Sequence, residues 1–91
     1  MFEVIGRKIR EAFGERVKEV IIFGSRARGD WNEESDLDVM VVLDRINPED
    51  WDIVGKLSAE LTIELGVSVM IVPHSRRDSI YMSALKEGVA V

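Results

Sequence analysis

The apolar positions of this chain fall into two rhythms that alternate along its length. Phe2, Ile5, Ile9 and Phe13 recur at steps of three and four, with Arg7, Lys8 and Arg10 between them. That spacing predicts an amphipathic helix ending near Gly14. Val17 to Phe23 is rich in β-branched residues and predicts a strand closed by Gly24-Ser25. A short helical turn is expected over 26–29 and a polar loop over 30–35. Asp36 to Leu43 predicts a second strand, apolar on both faces beyond its first residues, as a central strand is. Asn47-Pro48-Glu49-Asp50 then predicts a helix start. Asn47 suits the N-cap, Pro48 the first helical position, and the acids the positive helix end. Trp51, Val54, Leu57, Leu61 and Leu65 form its expected buried stripe, and Gly66 its C-terminal cap. Val67 to Val72 predicts a third strand closed by Pro73. A last helix, capped by Ser75 or Asp78, is expected to turn Ile80, Tyr81, Ala84 and Leu85 inward and to end at Gly88. Val89 to Val91 predicts an edge strand.

The resulting order is α-β-(turn)-β-α-β-α-(β), an α/β fold with a small mixed β-sheet flanked by helices. The 91 residues make one domain, 1–91, with room for a single core. A core of that size is marginal alone, so a partner or a homo-oligomer would stabilise it. Apolar residues are 46% of the chain, which excludes a disordered tail. No apolar run approaches about 20 residues, so no membrane span is expected. The N-terminus alternates charged and apolar residues and lacks the apolar stretch of a secretion signal. Cysteine is absent, which excludes disulfides and thiolate metal sites and makes a cytoplasmic location the expectation. The net charge of −5 argues against tight, non-specific binding to long nucleic acid. It does not argue against one nucleotide, because local charge decides that.

The candidate chemistry lies in Gly24-Ser25, ten intervening residues, then Asp36-Leu37-Asp38. Strand side chains alternate faces, so Asp36 and Asp38 point the same way while Leu37 and Val39 point into the other layer. Two nearby carboxylates repel each other unless a cation sits between them. A pair of hard oxygen ligands suits Mg²⁺ or Mn²⁺, which fill their remaining positions with water and phosphate oxygens. Gly24 lets the backbone approach a phosphate closely, and Ser25 adds a hydroxyl donor. Arg26 and Arg28 offer forked donors for phosphate oxygens. A triphosphate would lie between the turn and the metal, poised for an in-line displacement. Taken singly, each element has an ordinary meaning: a turn, a solvated strand start, surface charge. Their combination at this spacing, each on the right element, is what points to phosphoryl or nucleotidyl transfer.

This segment resembles the signature of the nucleotidyltransferase superfamily that includes DNA polymerase beta. It is most similar to the minimal nucleotidyltransferases, the MNT proteins often encoded beside HEPN-domain partners. The Gly-Ser-x-x-Arg-Gly stretch of polymerase beta matches Gly24, Ser25, Arg28 and Gly29. The resemblance implies that Gly24, Ser25 and Arg28 bind the nucleotide, that Asp36 and Asp38 bind metal and are catalytic, and that ATP is the substrate. It further implies transfer of AMP to a partner protein, a HEPN protein by family analogy, in a toxin–antitoxin pair. The chain is too short to carry an acceptor-binding domain as well, so the acceptor is expected from another chain. Transfer to a small molecule would need a pocket that a homodimer could supply.

The sequence departs from that pattern in one respect. Active members usually carry a third carboxylate on the next core strand, whereas Gly66-Val67-Ser68-Val69-Met70-Ile71-Val72 holds no acid. Ser68 or Met70 occupies the corresponding position, and Glu64 could substitute only if the strand began earlier. The loss bears on transfer chemistry more than on nucleotide binding. An alternative reading follows, in which the chain is a catalytically weak or inactive antitoxin-like partner of a HEPN protein. Other residues are lesser candidates: His74 at a strand exit, Arg76 and Arg77 at a helix entry, and Trp31, which could contact nucleotide or partner.

Overall fold

The N-terminal pattern of three- and four-residue steps forms helix α1 (Phe2–Phe13), which turns Ile5, Ile9 and Phe13 into the core. The computed structural model describes residues 2–24, 27, 29, 32 and 35–91. A single 3-10 turn, Gly14–Arg16, leads from α1 into strand β1 (Val17–Phe23). Strand β2 (Leu37–Leu43) returns antiparallel to β1, and helix α2 (Asp50–Leu65) crosses back to strand β3 (Val69–His74), parallel to β2. Helix α3 (Ser79–Glu87) then leads to strand β4 (Val89–Ala90), which pairs antiparallel with β1. The sheet order is β3-β2-β1-β4, a mixed sheet as the element order implies. Among the described residues no helix is long and apolar enough to cross a membrane.

The two faces of the sheet are covered unequally. On one face Val20, Ile22, Leu37, Val39, Val41, Leu43, Val69 and Ile71 meet the apolar stripes of α1 and α2. On the other, among the described residues, Ile21, Met40 and Val42 cluster with Tyr81 and Ala84 of α3, and Phe23 packs against them. Strand β2 is therefore buried on both sides beyond its start, as its continuous apolar run requires. Helix α3 packs over β1. On β3, Met70 and Val72 remain 52% and 38% exposed.

Several elements depart from what the pattern predicts. Trp51 is 56% exposed, and Asp50, wholly buried, takes its place in the α2 stripe with Val54, Leu57 and Leu61. Those four positions follow steps of four, three and four, and Trp51 stands about 100° round the helix from Asp50. The α-helix begins at Asp50 rather than Pro48, after a tighter turn in which the Asp50 amide donates to Asn47 O at 3.0 Å. Gly66 caps α2 as expected, in the left-handed conformation with its amide donating to Thr62 O. Strand β3 begins two residues later than expected and includes Pro73, which an edge strand tolerates. In α3, Ile80 and Leu85 are 63% and 38% exposed, because they flank the Tyr81–Ala84 line that is buried against the sheet. Its cap is Asp78, whose Oδ1 accepts from the Tyr81 amide at 3.1 Å, and not Ser75. The expected turn over 26–29 lies largely outside the described residues.

A buried carboxylate on a helix stripe must be paired. Arg16 Nη1 and Nη2 donate to Asp50 Oδ1 and Oδ2 at 2.7 and 2.8 Å, and the Asn47 amide donates to Oδ2 at 2.7 Å. Arg16 also donates to Arg45 O at 2.8 Å and to Asp44 Oδ1 at 3.2 Å. This fork ties the start of β1, the end of β2 and the start of α2 together. The bond from Arg16, chiefly, holds the Asp50 carboxyl down to about 2. Arg16→Met should cost roughly 3 kcal/mol in urea denaturation at neutral pH, because it leaves a buried charge without its partner. The native value of Asp50 is depressed, so its stabilisation is complete above the ordinary aspartate value of 3.8 and fades as pH falls towards about 2. Unfolding curves of Asp50→Asn should lack this part of the acid dependence.

Candidate active site

Strand β1 ends with Phe23 directly opposite Asp38 of β2. That register brings the residue after β1, Gly24, beside the aspartate. Gly24 has φ of 83°, and a Cβ built on it would collide with Asp38 Oδ2. Only glycine fits both the left-handed backbone and the close approach. The turn and one acid are thus in contact, although 14 positions separate Gly24 from Asp38 in sequence.

Asp38 lies on the sheet face that α3 shares, in line with the buried Met40. Phe23 flanks it on one side and Met70 on the other. Burial pushes the Asp38 carboxyl above its ordinary value, and the charge on Asp36 adds to the effect. Asp36 itself is exposed at the strand's entry. Among the described residues, this end of β2 carries two acids and no cation beside Asp38 that lowers its carboxyl. The chemistry of this donor pair fits a hard divalent cation such as Mg²⁺ or Mn²⁺, with Asp36 and Asp38 as its protein ligands. Among the described residues, no group of three or more His, Asp or Glu side chains gathers to form a richer metal site.

The strand register shows which residues of β3 lie nearest Asp38. The Cα partner of Asp38 on β3 is Met70, and the Leu37 amide donates to Ser68 O at 2.8 Å. Both neutral residues lie alongside the acidic end of β2. Glu64 is on α2, where it pairs with Lys8 Nζ at 2.9 Å, so it does not serve as the substitute. Ser25, Arg26, Arg28 and Trp31 lie outside the described residues.

His74 and Arg77 are not brought to this end of the sheet. His74, the strand partner of Val42, shares a hydrogen bond with Asp78 Oδ1 at 2.9 Å. Arg77 donates to Glu19 Oε1 at 3.3 Å and lies 5.6 Å from the centre of the Tyr81 ring, while Tyr81 Oη donates to Glu19 Oε2 at 2.6 Å. Arg76 is exposed. Sequence reasoning expected the turn and the acids to converge; what it passed over is Phe23 opposite Asp38 and the direct packing of Gly24 on the carboxylate. The one signal for that contact was the glycine at a strand's end.

Gly24→Ala should cost roughly 1–2 kcal/mol from the left-handed backbone alone, with a further penalty from displacing Asp38. Asp38→Ala removes the obstruction, so Gly24→Ala should cost less in that background. A double-mutant cycle by urea denaturation should show coupling of about 1 kcal/mol.

Comparison with known proteins gives this geometry a setting. The nucleotidyltransferase domain family matches residues 6–91. Protein adenylyltransferase MntA of Thermococcus cleftensis is 34% identical over 84 residues, covering 92% of this chain and 73% of that protein. MJ0604 of Methanocaldococcus jannaschii, provisionally named a protein adenylyltransferase, is 37% identical over 67 residues. That match covers 74% of this chain and 63% of the relative, just under two thirds of its length. Among solved structures, a toxin–antitoxin crystal structure with AMP-PNP contains a chain similar in fold, with a TM-score of 0.74 at 17% identity. The similarity covers 99% of this chain and 72% of that one. A mutant of the MntA–HpeT toxin–antitoxin pair gives a TM-score of 0.70 at 18% identity, covering 98% and 70%. With the match spanning residues 6–91 and the same fold in those chains, this chain belongs to the nucleotidyltransferase domain family.

Proposed function

We propose that the chain binds ATP with Mg²⁺ or Mn²⁺ and transfers its AMP moiety to a partner protein. The partner of this reading is a HEPN-domain toxin, for which the chain is the cytoplasmic antitoxin. The observation that carries it is the packing of Gly24 against the Asp38 carboxylate, which brings turn and acid together at one end of the sheet. The relatives named protein adenylyltransferase, and the toxin–antitoxin neighbour with AMP-PNP, support the nucleotide and the class of partner.

On this reading Asp36 and Asp38 hold the divalent ion and orient the bound triphosphate. The motif alone assigns Gly24, Ser25 and Arg28 to the phosphates. A bound cation would offset negative charge on the phosphates as it builds up during displacement. A hydroxyl oxygen of the partner forms a bond to the α-phosphorus. The bond from that phosphorus to the oxygen bridging to the β-phosphate breaks, pyrophosphate leaves, and the hydroxyl proton passes to water. Phe23 and Met70 keep the flanks of Asp38 apolar, which strengthens its hold on charge at that point.

A second reading has one specific observation in its favour: Met70, a neutral residue, stands beside Asp38. On that reading the chain neutralises its partner by binding, with little or no transfer. Incubation with ATP labelled at the α-phosphate, Mg²⁺ or Mn²⁺, and the protein encoded next door separates the two. Label should reach the partner, and Asp36→Asn with Asp38→Asn should cut labelling by roughly a hundredfold or more. A partner that stays unlabelled, yet is neutralised equally well by the double variant, would establish the binding-only reading.

A further inference from the structure

The sheet face that carries Asp38 is covered, among the described residues, by one nine-residue helix, α3. Strand register lays that face out in rows: Phe23, Asp38 and Met70; Ile21, Met40 and Val72; Glu19, Val42 and His74. The cover reaches Ile21, Met40 and Val42, which are buried, and stops short of β3, where Met70 and Val72 stay 52% and 38% exposed. At the far end His74 bonds to Asp78, which brings the start of α3 against the strand. An apolar ledge therefore begins beside Asp38 and runs along β3. From Met70 to His74 the strand rises about 13 Å, the length of roughly nine helical residues. Ile80 and Met82, one on either side of Tyr81, are 63% and 55% exposed, so the flank of α3 that faces the ledge is apolar as well.

The outer edge of β3 is ill suited to an added strand. Ser68 O accepts from the Leu37 amide, so by alternation Met70, Val72 and His74 bond to β2, while Val69, Ile71 and Pro73 turn their backbone groups outward. The Val69 amide already donates to Thr62 Oγ1 at 2.9 Å, and proline has no amide proton. Ile71 is left as the outward amide of this edge, too little for a ladder. A helix needs no such groups, because it docks through its side chains. Its dipole also fits the two ends of the ledge. Among the described residues, Asp36 and Asp38 stand at one end, and Arg76 is exposed beyond the other. A helix with its positive, N-terminal end at the acids is favoured at both. It would run antiparallel to α3, which starts beside His74 and ends where Gly88 packs on Ile22 O.

We propose that the acceptor protein, on the transfer reading above, lays an amphipathic helix on Met70 and Val72 alongside α3, with its N-terminal end beside Asp38. The hydroxyl that receives AMP then arrives from that end of the helix.

The test measures, by calorimetry, the affinity of the full chain for the protein encoded next door and, separately, for a non-hydrolysable ATP analogue with Mg²⁺. Val72→Glu should weaken binding of the partner roughly tenfold or more and leave the analogue's affinity unchanged. Ile63→Glu, at an apolar side chain 84% exposed on α2, across the sheet, should change neither. Circular dichroism checks folding, and Val72→Gln carries the same expectation, with a smaller loss, should Val72→Glu not fold. In the complex, hydrogen exchange at the Ile71 amide should match that of the free chain. Partner affinity unchanged in a folded Val72 variant, or lost equally in Ile63→Glu, would overturn the proposal. Protection of the Ile71 amide would overturn it in favour of an added strand. A wild-type dimer in sedimentation that Val72→Glu dissociates would overturn it in favour of a second copy. Labelling of a partner whose binding Val72→Glu leaves untouched would remove the docking face and keep the transfer reading. A partner that docks as expected but never takes label would keep the docking face and remove the transfer reading.

Discussion

The arrangement depends on the register between β1 and β2. Phe23 faces Asp38 and Ile21 faces Met40, so the chain leaves β1 at Gly24 already beside the acid it must meet. A slip of one residue would send every side chain of β2 to the opposite face, burying the aspartates under α1 and α2 and exposing Leu37 and Val39. The core forbids this, since Leu37, Val39 and Val41 are wholly buried. The irregularity in the ladder falls between Val17 and Glu19, at the other end of β1. There the Arg16 fork onto Asp50, Asp44 and Arg45 O fixes the strand ends. One end of the strand pair is locked by a buried ion pair, and the other is left to hold the acids.

Asp38 is placed where a carboxylate is costly. Apolar neighbours desolvate it, and Asp36 raises it further. An isolated protein gains nothing from that arrangement. On the proposed function a cation site would, because positive charge bound beside Asp38 would offset the cost of desolvating it. The contrast with Asp50 is instructive. Both are aspartates at the start of an element, yet Asp50 is saturated by Arg16 and the Asn47 amide, and its carboxyl is held low. The shifts run in opposite directions because Arg16 meets the charge of Asp50, whereas among the described residues burial and Asp36 act on Asp38.

Most of the architecture was legible in the chain because it rests on local periodicity. Helix α1, β1, the end of α2 at Gly66 and the pairing of Val89 and Ala90 all follow from spacing and punctuation. That Asp38 faces away from the core-lining Leu37 and Val39 follows from parity alone. The errors of burial have one origin: which side chains of a helix are covered depends on what lies beneath it. Trp51 fits the apolar count of α2, but Asp50 takes the inward position because Arg16, distant in sequence, is there to receive it. Ile80 and Leu85 are apolar and yet exposed, since α3 crosses too little sheet to bury its flanks. The contact of Gly24 with Asp38, and the choice of Met70 over Ser68 as the neighbour of Asp38, are facts of strand register that no local window contains.

Strand β2 carries both demands of this fold on alternate residues. Leu37, Val39, Val41 and Leu43 anchor it to α1 and α2, while Asp38, Met40 and Val42 face the other way. Asp38 therefore sits between two side chains that cannot move without opening the core, which fixes its backbone more firmly than any contact of its own carboxylate could. Close-packed interiors have few alternative arrangements, so the constraint passes directly to the acid between them. On its own face Asp38 meets softer neighbours, the half-exposed Met70 among them. The position of the charge is thus set by the core behind it, while what surrounds the charge can vary by substitution on β3 without disturbing the fold.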